Sequence, residues 1–129
     1  MAVNRPVAPL PPSARLLVGA FATSGVIHLV RPAVFEPLVP AWVPVGPRRT
    51  VHLSGVAELV CAAATVHPTT RRAGGWATAA LLVAILPGNV QMAADGRRSR
   101  NRAWRVGTLA RVPLQAPLVA VALRVAHGS

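Results

Sequence analysis

Four apolar blocks, at about 13–30, 50–66, 74–93 and 104–126, fill most of this 129-residue chain. Nothing constrains its fold more. A helix crosses the hydrocarbon of a bilayer with about 20 residues, within a range near 17 to 25. Every block fits, the first two at the short end. Hydrophobic residues make up 53% of the chain and charged residues 13%, about half the usual charged share of about 25%. A soluble domain this small has too much surface to cover with so few polar groups. The expected fold is all-α, a transmembrane four-helix bundle forming a single domain over 13–126, behind a Pro-rich tail at 1–12. The expected location is the cell membrane, with multiple passes, and the first partner is the lipid bilayer. Block 13–30 exceeds the about 7–15 residues of a signal h-region, so it reads as a retained helix.

The connections differ in character. His67 to Ala73 is too short for anything but an antiparallel turn, and Asp95 to Arg102 is strongly basic. Residues 31–49 are both Pro-rich and apolar. Pro32, Pro37, Pro40, Pro44 and Pro47 forbid one continuous helix. A short helix near Pro32 to Leu38 is expected, followed by an extended cover. Phe35, Leu38, Val39, Trp42 and Val43 would then lie against the bundle mouth, as an interfacial anchor or as a lid. We call the end of the bundle carrying 31–49 and 95–102 the A side and the opposite end the B side.

All fourteen basic residues are Arg and the net charge is +11. They lie mainly between the apolar blocks, where they set topology and meet phospholipid. No basic stripe of the kind that binds nucleic acid is present. Arg31, Arg48, Arg49, Arg97, Arg98, Arg100, Arg102 and Arg105 fall on the A side, against Arg5, Arg15, Arg71, Arg72 and Arg124 on the other. Eight against five points to a cytoplasmic A side.

Glu58 stands alone near the centre of its apolar block, and an intramembrane carboxylate needs a partner, a proton or a wet cavity. At 1.5 Å per residue it lies ~12 Å from the A side. His28, Asn89, Arg111 and Gln115 approach the same half from the other three blocks. Ser54, Glu58, Cys61 and Thr65 recur at helical spacing, as do Ala20, Ser24 and His28, so each set forms one inward face. Pro87 and Gly88 loosen the third helix, and Pro113 and Pro117 the fourth. Two readings stay open: a polar pocket of His28, Glu58, Asn89 and Arg111 lined by Ser24, Ser54, Pro87 and Gln115, or bent packing helices with Glu58 and Arg111 as a structural pair. No metal site is expected, because no two ligands stand at HxxxH or HxxE spacing. Cys61 is the only cysteine, so no disulfide or thiol relay forms within the chain. No cofactor motif is evident.

Three stretches carry a family resemblance: GVIHLVRPAVFEPLVPAWVP (25–44), SGVAELVCAAATVHPTTRRAGGW (54–76) and LLVAILPGNVQMA (81–93). They resemble the DoxX-like family of small four-helix membrane proteins. The family pattern matches His28, Pro32, Phe35, Pro40, Ser54, Gly55, Glu58, Pro87, Asn89 and Met92. Leu29 departs from it, where an aromatic often follows the histidine, and the match fades in the fourth block. Relatives include a subunit associated with quinone-coupled thiosulfate oxidation, a maturation factor for methylamine dehydrogenase and eukaryotic membrane assembly factors. The resemblance therefore implies an accessory component of a membrane redox or quinone-linked system, with a quinone-like lipid as ligand and a membrane protein or oxidoreductase as partner. The alternatives are an assembly factor for membrane proteins and a small lipid or solute carrier. One cysteine and no haem-ligand pair leave the chain without an electron relay of its own, which argues against a self-sufficient enzyme.

Overall fold

The computed structural model describes residues 9–39 and 41–128, without the side chain of Leu38. The expectations for 1–8, for Pro40 and for the Leu38 side chain lie outside the described residues. Within them the chain forms four α-helices: α1 (Pro12–Val30), α2 (Pro47–Val66), α3 (Arg71–Gly96) and α4 (Arg102–Ala126). This is the all-α four-helix bundle expected from the apolar blocks. α3 packs most extensively on α4, and α1 on α2; α2 joins the two pairs through α3, α1 touches α4 more lightly, and the diagonal pairs α1 with α3 and α2 with α4 touch least.

Each helix starts and stops for a local reason. Pro12 and Pro47 occupy first-turn positions, where the missing N–H has no helical partner to lose. Gly46 precedes α2 with a φ of 86°, a left-handed conformation that suits glycine. The Asn101 side chain accepts a hydrogen bond from the Trp104 N–H at 3.2 Å and caps α4. α3 exceeds its apolar block at both ends, because its terminal polar residues still serve the helix ends around them. Arg71 Nε donates to the Thr65 carbonyl at 3.1 Å, and Arg72 Nε to the Ala126 carbonyl at 3.2 Å, so one end of α3 closes the last turns of α2 and α4. α3 runs unbroken through Pro87, and α4 through Pro113 and Pro117. The short helix expected at Pro32 to Leu38 is instead two 3-10 turns, Pro32–Val34 and Glu36–Leu38, separated at Phe35. Pro37 removes the backbone donor that would have joined them.

α1, α3 and α4 are long and apolar enough to cross a membrane, which marks the chain as a membrane protein. α2 has the length, at 20 residues, but it carries Arg48, Arg49, His52, Ser54 and Glu58, and its hydropathy falls short. Between its neighbours α1 and α3 only Glu58 of these is buried, while Arg48 and Arg49 are exposed at the A-side end. Outward positions are apolar, as a lipid-facing surface requires: Leu16, Leu53, Val60, Val83 and Leu114 are all exposed.

The dry core sits in the B-side half, where Leu17, Phe21, Cys61, Ala62, Ala79, Leu82 and Ala122 form one buried cluster. Small residues let the backbones close there. A Cβ on Gly75 would meet the Ala122 carbonyl oxygen at 2.8 Å, and one on Gly74 would meet the backbone of Ala64 at 2.7 Å. Apart from Thr65 and Thr78, the buried polar residues described lie toward the A-side half.

Candidate functional site

α1 and α2 cross at Gly25 and Gly55, and each glycine stands one turn before the residue that matters. His28 follows Gly25 by three positions and Glu58 follows Gly55 by three. This crossing brings Nδ1 of His28 to 3.9 Å from Oε2 of Glu58, with both side chains about nine-tenths buried. The separation is too long for a hydrogen bond. Nδ1 is already engaged, lying 2.6 Å from the Ser24 carbonyl oxygen. A carbonyl only accepts, so Nδ1 carries the proton and donates it. Ser24 Oγ is 3.3 Å from the same nitrogen and also neighbours the Glu58 carboxylate. The imidazole is clamped on its face by Phe35, whose ring stacks at 3.9 Å and 11°. Glu58 Oε2 is buried without a hydrogen-bond partner among the described residues.

A cavity of about 290 Å³ opens in front of this pair. Its α2 wall is Thr50, Val51, Ser54 and Glu58, and its α3 wall is Ala84, Ile85, Gly88, Asn89 and Met92. Arg111 enters from α4, and Phe35, Val39, Trp42 and Val43 of the Pro-rich connection lie over it. The connection is tied down at its edge, where Arg48 Nε donates to Glu36 Oε1 at 2.6 Å. That pair is largely exposed on the Arg48 side, so it orients the cover more than it stabilises the fold.

α3 and α4 are joined behind the cavity by an amide relay. Gln115 Nε2 donates to the Leu82 carbonyl at 2.5 Å, and Asn89 Nδ2 donates to Gln115 Oε1 at 2.8 Å. Leu82 is the neighbour of Val83, the residue whose carbonyl loses its helical donor at Pro87. Gln115 thus adds a bond from the adjacent helix one residue before that carbonyl.

The structure gathers His28, Glu58, Asn89, Arg111 and Ser54 around one cavity. It does not place Ser24, Pro87 or Gln115 on the wall, contrary to expectation. Ser24 borders a shallow outer groove between α1 and Phe35. Pro87 is exposed on α3, about 200° around the helix from Asn89 at 100° per residue. Gln115 is buried, at 6% exposure, behind Asn89. The pairing of Glu58 with Arg111 also fails: no ion pair within 4 Å joins them among the described residues, and the basic group nearest Glu58 is His28. Arg111 is exposed at the cavity and acts on Glu58 only as a more distant charge. Thr50 was missed, although it continues the Ser54–Glu58 stripe one turn back. No cluster of three metal-ligating side chains occurs among the described residues.

Comparison with curated proteins and with solved structures gives no match. A family model does match, over residues 17–126, which takes in most of α1, the whole of α2 to α4 and every wall of the cavity. On that match the chain belongs to the family described as Domain of unknown function (DUF8561).

Proposed function

We propose that this is a multi-pass protein of the cell membrane whose A-side cavity holds the head group of a quinone-like lipid, as an accessory to a membrane redox system. One observation carries the reading. Glu58, whose Oε2 is buried without a hydrogen-bond partner among the described residues, lines an otherwise largely apolar cavity large enough for a single ring. Ligand sites are typically apolar clefts of about 300–1,000 Å³ with a few converging polar groups, and this cavity stands at the small end of that range. The tail of such a lipid would leave between helices toward the bilayer, and the apolar cover at Phe35, Val39, Trp42 and Val43 suits an amphipathic guest. The resemblance to DoxX-like proteins supports the redox setting. The role is accessory, because the chain carries one cysteine and no metal cluster among its described residues to move electrons.

Native mass spectrometry of the protein extracted with its own lipids tests this. The expected spectrum carries an adduct with the mass of a quinone-like lipid, lost in Glu58→Gln. A protein that instead leaves the membrane with one stoichiometric protein partner and no small adduct is an assembly factor, and the cavity reading then fails.

A further inference from the structure

We propose that the turn between α3 and α4 is a docking surface for the phosphate groups of anionic phospholipid, and that it holds such lipids in preference to zwitterionic ones. This surface is separate from the cavity, and nothing about it depends on what the cavity binds.

Residues 95–105 carry five arginines against one acid, a net charge of +4. The other A-side connection, 31–49, carries three arginines against Glu36, a net charge of +2, and its Arg48 is already spent on that glutamate. The one acid of the turn is held back against α3, where Gln91 Nε2 donates to Asp95 Oδ1 at 3.0 Å. Arg97, Arg98, Arg100 and Arg102 are exposed, and their guanidinium groups have no hydrogen-bond or ion-pair partner among the described residues. A guanidinium stays charged at physiological pH and presents its donors in a planar fork that matches phosphate oxygens. Four such groups within six residues repel one another, and an anion between them relieves that repulsion.

Hydrogen bonds fix the backbone that carries these charges. The Ser99 N–H donates to the Gly96 carbonyl at 3.0 Å, and the Asn101 N–H to Ser99 Oγ at 3.1 Å. Arg105 reaches back from α4, its Nη1 donating to the Ser99 carbonyl at 2.7 Å, so its charge joins the turn. Next to the charges the surface becomes apolar. Arg102 stands one turn before Val106 and Arg105 one turn before Leu109, and at that spacing each pair shares a face of α4. Val106 and Leu109 are 58% and 57% exposed, and Trp104 is exposed beside them, as suits the head-group level. An arginine followed by an exposed aliphatic side chain repeats the order of a phospholipid, phosphate first and acyl chain after. An acidic soluble protein would meet the charges alone, whereas the lipid meets both parts of the face.

Arginines that only set topology during insertion create no lipid preference in the folded protein, and this separates the two roles. The full-length protein, purified in dodecyl maltoside, is titrated with dioleoylphosphatidylglycerol and with dioleoylphosphatidylcholine, which share acyl chains and differ in net charge. Native mass spectrometry counts the lipids held. The anionic lipid is expected to bind at least about tenfold more tightly, given about fivefold for each arginine near an anionic surface. Combining Arg98→Gln, Arg100→Gln and Arg102→Gln is expected to abolish that preference, whereas Arg31→Gln with Arg49→Gln keeps it. The three arginines have no partner to lose, and the wild-type comparison stands even if the triple variant is made in low yield. Equal binding of the two lipids overturns the proposal, as does a preference that survives the triple variant. Displacement of the anionic lipid by an equal concentration of glycerol 3-phosphate makes the turn a site for free phosphate and overturns the lipid assignment. An acidic protein that co-purifies with the wild type and not with the triple variant, while both lipids bind alike, overturns it too.

Discussion

Gly25 and Gly55 meet where α1 crosses α2: a Cβ on Gly25 would lie 2.9 Å from the Gly55 carbonyl oxygen, and one on Gly55 would lie 3.0 Å from that of Gly25. The second Cβ would also come within 2.7 Å of Cβ of His28. Backbone and a buried ring cannot yield cheaply, so this contact sets the distance between His28 and Glu58. Gly55→Ala is expected to cost about 1–3 kcal/mol by overpacking and to weaken ligand binding. Gly19→Ala in the same bundle meets nothing within 4 Å. It is expected to be neutral or to gain about 0.5–1 kcal/mol, because alanine suits a helix better. Thermal melts in detergent on both variants check the opposite signs. Equal melting temperatures would show that the crossing is loose.

A second expectation concerns Glu58 and Arg111. An obligatory buried pair loses about 3–5 kcal/mol when one partner is neutralised, and recovers when both are. Here the two are not in contact and Arg111 is exposed, so the coupling should resemble that of a surface pair, below about 1 kcal/mol. Glu58→Gln should fold in near-normal yield and lose ligand binding. Adding Arg111→Gln should not restore that binding. Strong mutual rescue in melts of the single and double variants would return Glu58 to a purely structural role.

What could be read from the chain, and what could not, divides along physical lines. Hydropathy over about 20 residues locates a helix well, and all four were legible. Helix ends were less so, because Arg71 and Arg72 are polar in sequence yet helical in place, closing the ends of α2 and α4. Depth was legible too: counting residues put His28, Glu58, Asn89 and Arg111 in one half of the bundle. Rotation about the helix axis was not. Arg111 matches Glu58 in depth but is exposed, while His28 is turned toward Glu58 by the glycine crossing. Ser24 and Ser54 both lie on inward stripes, yet only Ser54 borders the cavity. The amide relay from Asn89 through Gln115 to Leu82 depends on two helices facing each other in one register, which no local pattern encodes.

That relay gives a further prediction. Gln115→Leu keeps the volume and removes both ends of the bridge, leaving the Asn89 amide without its Gln115 partner and the Leu82 carbonyl with its helical donor alone. The expected loss is about 1–3 kcal/mol per group left unsatisfied. Gln115→Glu keeps an acceptor for Asn89 but removes the donor to Leu82, so it should recover only part of the loss. Melting temperatures of the two variants separate the two halves of the bridge. A Gln115→Leu protein as stable as the wild type would mean that the relay contributes nothing.

The membrane arrangement supplies the last expectation, and it turns on α2. By hydropathy α1, α3 and α4 qualify as spans and α2 does not, because of the polar face that builds the cavity. The bundle nevertheless packs α2 between α1 and α3 as an antiparallel neighbour of similar length. If all four helices cross, a reporter inserted at Gly46 and one fused after the C-terminal residue stand on opposite sides of the membrane. If α2 lies along the surface, only α3 and α4 cross between the two reporters, and two crossings put them on the same side. Opposite sides are expected, with Gly46 cytoplasmic, since most arginines outside the helices' apolar cores gather at that end. Paired phosphatase and fluorescent-protein fusions at the two positions give the readout. Matching signals from both would remove α2 from the membrane, and with it the low-dielectric setting in which Glu58 and His28 face a cavity together.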